Sequence, residues 1–275
     1  MSRLLSSMLV VAVLLSSAGC TLFDREERSV DPAANARQLY EKAERALETG
    51  NFRTAISNYE TLTAVYPFSE YSKQAQLDLM YAYWQNDEPE SAESIADQFI
   101  LENPTHPRVD YAMYVKGLAW FPEENNPVNA LFRVDLTKRP PGELIRSFNA
   151  FSQMLQRYPE SPYAEDARQR MVYLRNRLAA YEIHVADYYV RRSAYVAAAN
   201  RARYVVQTYQ ETPSVVDALQ IMLRAYRELG LRELAEDTLR VLAENYPDKA
   251  YAWGGRRPSV ASREPGPVSR AESPK

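Results

Sequence analysis

One cysteine, two histidines and eight glycines among 275 residues leave little room for most kinds of chemistry. A single thiol cannot pair within the molecule, so Cys20 belongs to no disulfide framework. His106 and His184 lie far apart in the chain, and there is no His-x-x-x-His, no CxxC, no glycine-rich phosphate loop and no serine elbow. His106 falls in Asn103-Pro104-Thr105-His106-Pro107, where hydrogen bonding within a turn is its simplest role. His184 sits in a helical stretch, most simply at a half-buried interface. Carboxylates are many but spread along helical faces, so neither a catalytic constellation nor a metal site is expected. Charge of one sign is lacking too: 33 basic and 36 acidic residues intersperse to a net −3, with no basic field to hold nucleic acid. Long apolar runs are absent, because Leu4 to Leu15 falls short of the roughly 20 residues that span a bilayer.

That short run does fit something else. Arg3, the apolar stretch and the small residues Ala18-Gly19 before Cys20 have the layout of a secretory signal, to be set aside from fold reasoning. The stretch resembles a bacterial lipoprotein signal, which implies cleavage after residue 19 and acylation of Cys20. Ser17 departs from that pattern, where leucine is commonest, and a plain signal with an incidental cysteine stays open. Several acyl chains anchor far more firmly than one. The expected modification is a covalent diacylglycerol and N-acyl lipid on Cys20, with no other cofactor. Thr21 follows where an aspartate commonly signals inner-membrane retention, so the resemblance implies the periplasmic face of the outer membrane. Residues 20–35 read as the acylated cysteine and a tether, and the Pro-, Arg- and Ser-rich residues 254–275 as a disordered tail.

What the chain does have is helix formers, 20 tyrosines and a repeat. Tyr66-Pro67, Asn103-Pro104, Tyr158-Pro159 and Tyr246-Pro247 each follow a small residue twelve positions before the proline: Ala55, Ala92, Ser147 and Ala235. Eight positions before stand Tyr59, Ala96, Phe151 and Leu239, while Ala43 and Gly117 add further small sites. Small residues let paired helices approach closely, and the proline stops the second helix. Ala198 and Tyr209-Gln210 mark a less regular unit, giving five at 36–69, 73–106, 110–160, 163–212 and 214–249. The pattern is that of tetratricopeptide hairpins. The predicted fold is all-α, a superhelical solenoid of about five such hairpins; a non-repeating helical bundle is the alternative.

Two features break the period. Residues 121–142 form an insertion in the third unit, FPEENNPVNALFRVDLTKRPPG, either packed back on the repeats or docking a partner. Ala164 to Arg192 reads as a helix far longer than a repeat helix, within the C-terminal repeats at 161–253; the N-terminal repeats span 36–160. In such repeats the first helix of each pair lines a groove, so Gln76, Asp78, Tyr81, Tyr83 and Trp84 are candidates for holding extended peptide, although some of them must face the core. Tyrosine and tryptophan provide large contact area at low entropy cost. For each aromatic singly, plain packing is an equal reading.

The strings YPFSEYSKQAQLDLMYAY (66–83), NPTHPRVDYAMYVKGL (103–118), LFRVDLTKR (131–139) and RLAAYEIHVADYYVRRSAYVAAANRARYVV (177–206) resemble the BamD family of outer-membrane β-barrel assembly (Bam) lipoproteins. Two departures stand out: Arg139-Pro140-Pro141, where the family often has Arg-Asp-Pro, and the proline-rich tail after Trp253. The resemblance implies a non-enzymatic scaffold that binds the last periplasmic repeat domain of the BamA barrel subunit through its C-terminal half. It also implies contact with unfolded barrel precursors through the N-terminal half, and with the accessory lipoproteins BamC and BamE. The family's Asn-Arg pair stands here as Asn200-Arg201, which makes Arg201 the implied BamA contact. An ordinary exposed charge is the other reading of Arg201, and another envelope repeat lipoprotein, such as a pilus or secretin pilotin, is the alternative function.

Overall fold

The computed structural model describes residues 32–122 and 140–247, and these hold ten α-helices and no strand. They are α1 (Pro32–Glu48), α2 (Phe52–Val65), α3 (Ser72–Gln85), α4 (Pro89–Glu102), α5 (Val109–Ala119), α6 (Gly142–Arg157), α7 (Ala164–Arg191), α8 (Tyr195–Thr208), α9 (Ser214–Glu228) and α10 (Arg232–Asn245). The expected signal peptide, Cys20, residues 123–139 of the insertion and the tail 254–275 lie outside the described residues. One boundary differs from the sequence reading. The tether was to run through residue 35, yet α1 begins at Pro32. Proline at the first helical position costs no hydrogen bond, and two alanines follow it.

Two kinds of turn alternate along the chain, and each has its own hydrogen-bond signature. Within hairpins, the turns at Gly50, Asp87, Ser193 and Gly230 all adopt a positive φ, between 58° and 72°. In each, the next residue's N–H reaches back five positions: Asn51 to Ala46, Glu88 to Tyr83, Ala194 to Tyr189 and Leu231 to Tyr226. The positive-φ residue's own N–H bonds three back, to Leu47, Trp84, Val190 and Arg227. These are Schellman C-caps, which satisfy the orphan carbonyls of the first helix. Between hairpins a different ladder recurs. Ser69, His106, Ser161 and Thr212 donate their N–H to Tyr66, Asn103, Tyr158 and Tyr209, and their own carbonyls accept from Ser72, Val109, Ala164 and Val215. His106 therefore occupies a linker position filled by hydroxyl residues elsewhere, and its Nδ1 accepts from the Arg108 N–H at 3.2 Å.

The chain divides into two compact units, one ending at Leu79 and the other beginning at Met80. In the first, α1 packs against α2 through buried Ala36, Ala43, Ala55, Tyr59 and Leu62. The Tyr40 ring lies 5.8 Å from Tyr59 and 5.4 Å from Tyr71, and its hydroxyl donates to Asp78 Oδ2 at 2.9 Å. Burial first, then Asp78, pushes that hydroxyl well above the ordinary tyrosine range.

In the second unit each helix from α4 to α10 packs against the next, and α7 also meets α9. The repeat's small residues are the contact points: Ala92, Ser147 and Ala198 are fully buried and Ala235 nearly so. Where α5 meets α6, a Cβ on Gly117 would sit 2.5 Å from Phe151 Cε1, so any other residue would force that buried ring to shift. Ser147 Oγ meets its bonding need there by donating to the Gly117 carbonyl at 2.8 Å. Glu93 ties three helices together. It accepts from Trp120 Nε1 at 2.9 Å and pairs with Lys116 and Arg146, while the Arg146 guanidinium lies 4.4 Å from the Trp120 ring centroid.

Candidate functional site

The second unit places Arg201 on α8 beside α7. Ala198, Ala202 and Val205 bury one face of α8 against Ala179, Ala186 and Val190 of α7, with Ala218 of α9 closing the cluster. That periodicity turns Val196, Asn200, Arg201 and Tyr204 outward, where all four are exposed. Arg201 Nη1 donates to Glu182 Oε2 on α7 at 3.0 Å, and the Glu182 side chain is only 13% exposed against 48% for Arg201. Tyr204 and Tyr209 meet edge to face at 5.8 Å. Burial, then Tyr204 and then Glu182, pushes the Tyr209 hydroxyl well above its ordinary range. Helix α8 carries Arg201 and Arg203 and no acidic residue, so this face offers donors to an approaching carboxylate. Glu182 was not singled out from sequence, because a pairing across two helices has no local spacing signature.

The candidate peptide-binding residues of α3 fall on both sides of the division between units. Gln76 and Asp78 belong to the first unit and are half-buried; Asp78 accepts from Tyr40 and from Gln74 Nε2 at 2.9 Å. Tyr81, Tyr83 and Trp84 belong to the second. Tyr81 and Trp84 are half-buried and touch edge to face at 5.6 Å, whereas Tyr83 is 8% exposed and so sits with the core. Asp78 is thus committed to a neighbouring tyrosine, and Tyr81 with Trp84 is the pair that retains accessible aromatic surface.

A further feature of the first unit had no counterpart in the sequence reading. A pocket of about 480 Å³ opens where the start of α1 meets the end of α2, lined by Pro32, Val65, Tyr66, Pro67, Phe68 and Tyr71 among others. Val65 is 58% exposed and Phe68 99% exposed, an arrangement that leaves apolar surface in water. Asn35 Nδ2 donates to the Tyr66 hydroxyl at 3.2 Å and holds that ring at the pocket wall. Ser69 Oγ is buried beside it with no hydrogen-bond partner among the described residues. Its counterpart Ser161 donates to Asp110 Oδ2 at 2.7 Å, a bond that Ser69 lacks. The signal was present in Tyr66-Pro67-Phe68, but the repeat spacing absorbed those residues as a helix stop.

No group of three metal-ligating side chains exists among the described residues, and no described helix is long and apolar enough to cross a membrane. Comparison with known proteins gives a consistent result. The family described as "Outer membrane lipoprotein" matches residues 32–242. The outer membrane protein assembly factor BamD of Vibrio cholerae is 40% identical over 241 residues, covering 88% of this chain and 97% of that protein. The protein of the same description from Neisseria meningitidis serogroup A is 40% identical over 222 residues, 80% of this chain and 83% of its own. That of Xylella fastidiosa strain Temecula1 is 34% identical over 257 residues, 93% and 86%. The chain therefore belongs to this family of outer-membrane lipoproteins.

Proposed function

We propose that this chain is a non-catalytic scaffold of outer-membrane β-barrel assembly, anchored through lipid on Cys20 and working at the periplasmic face. The observation that carries the reading is the extent of its likeness to an assembly factor, which runs nearly the whole length of both chains rather than over one shared module. The exposed face of α8, with Asn200 and Arg201, is the docking surface for the periplasmic region of the barrel subunit BamA. Its exposed Arg201 and Tyr204 support this, since arginine and tyrosine are enriched where partners bind tightly. The first unit's pocket receives unfolded barrel precursors. An open pocket lined by Val65, Phe68 and two tyrosines suits an aromatic side chain on an extended segment. BamC and BamE are further partners in this reading.

The test is a mild-detergent pull-down of the acylated protein from membranes, comparing wild type with Arg201→Ala. Alanine removes the guanidinium without placing a new charge opposite the sheltered Glu182. The expected result is that the barrel subunit co-purifies with wild type and is largely lost in the variant. Failure of that subunit to appear with wild type would overturn the assembly role.

A further inference from the structure

We infer that Glu182 is a positioning residue, one that holds the Arg201 guanidinium in the orientation that a partner carboxylate requires. The inference rests on the reading of Arg201 as a contact of the barrel subunit and names a residue of that surface which nothing else assigns. Its geometry is that of a split pair. The Glu182 side chain, on α7, is 13% exposed, while the Arg201 side chain that it holds is 48% exposed. A sheltered acceptor has few orientations, so it fixes the longer, more mobile side chain rather than the reverse.

The atoms engaged matter more than the distance. Arginine presents five N–H donors in one plane. Glu182 takes a donor on Nη1. The Nε–H and one Nη2–H point parallel along the other edge, the fork that matches the two oxygens of a carboxylate. Neither of those nitrogens has a partner among the described residues. On the helix itself nothing competes: α8 contains no acidic residue, and Arg203 is engaged separately with the Tyr226 hydroxyl at 3.0 Å. The pair therefore leaves one bidentate edge vacant and the side chain already ordered. A loose arginine would lose its rotamer freedom on binding; a held one has lost it beforehand, which improves affinity without a new contact. The incoming group is an aspartate or glutamate on the partner surface.

The experiment is a double-mutant cycle with the full chain in mild detergent, titrated with the purified periplasmic region of the barrel subunit. Four proteins are compared: wild type, Glu182→Gln, Arg201→Ala and the double variant. Glutamine keeps the side chain's size but replaces the charge-assisted hold on Nη1 by a weaker neutral one, so helicity and unfolding midpoint should match wild type and separate positioning from folding. Expected is a weakening of about three- to ten-fold for Glu182→Gln, and no further loss when it is added to Arg201→Ala. Wild-type affinity in Glu182→Gln overturns the inference, as does an equal loss with and without Arg201. Should Arg201→Ala itself bind like wild type, the reading of the docking surface fails and this inference falls with it.

Discussion

Asp166, at the start of α7, accepts from the Tyr114 hydroxyl of α5 at 2.6 Å and from Arg170 one turn further along its own helix. Burial alone would raise its pKa; the bonds from Arg170 and Tyr114 outweigh burial and hold it below the ordinary value of 3.8. The same contact, after burial, pushes Tyr114 up to about 12. A carboxyl whose folded pKa is depressed contributes stability above its unfolded pKa and loses it as pH falls through the folded one. The contribution is therefore in place at pH 5 and above, and fades progressively as the pH falls below about 4 toward the depressed folded value. Asp166 is 46% exposed, so solvent screening limits it to about 1 kcal/mol or less. Asp166→Asn should lower the denaturant midpoint at pH 7, and the loss should shrink as the pH is lowered from 5 toward 3. A loss that stays constant across that range would mean that the carboxylate's charge plays no part.

Helix ends show how far the sequence could be read and where it stopped. Tyr-Pro and Asn-Pro steps announced the hairpin ends, because proline cannot continue a helix and the small residues twelve positions earlier mark where two helices touch. Those small positions are buried in the structure, and the all-α fold follows from them. Gly50 and Gly230 carry a turn signal in the residue type itself, glycine's freedom at positive φ. Asp87 and Ser193 were not, since neither residue advertises the left-handed conformation that the Schellman turn imposes on it. Glu182 and the pocket at Val65 and Phe68 were hidden for a different cause: each depends on which helices meet, and no local spacing records that. Pro32 was missed because a charged, unpatterned approach concealed a good first helical residue.

The two disguised turns differ in strain. Aspartate tolerates the left-handed region through bonds to its own backbone, whereas serine does so more weakly. Ser193→Gly should thus stabilise the second unit by about 0.5–1 kcal/mol, once glycine's greater freedom in the unfolded chain is set against the relief. Asp87→Gly should gain less. Thermal unfolding measured on both variants checks the order. A loss of stability at Ser193→Gly would show that the serine side chain contributes more to the turn than its backbone costs.

At the scale of the whole molecule, the proposed activities sit on separate parts of the chain. The pocket at Val65 and Phe68 belongs wholly to the first unit, and the α8 face with Asn200 and Arg201 wholly to the second. The side chains to be changed on both surfaces already lie in water, so they can be altered without removing core packing. Val65→Asp with Phe68→Ala changes residues 58% and 99% exposed, and Arg201→Ala one that is 48% exposed. A scaffold that holds a precursor at one unit and the barrel subunit at the other should yield to each change separately. The pocket variant should bind a peptide ending in an aromatic residue about tenfold more weakly while retaining the barrel subunit. Arg201→Ala should do the opposite, and Cys20→Ala should release an otherwise competent protein from the membrane fraction. Peptide titration, pull-down and fractionation of the same three proteins measure this directly. If one surface change abolished both kinds of binding while helicity held, precursor and barrel subunit would share a surface, and the assignment of the pocket would have to be given up.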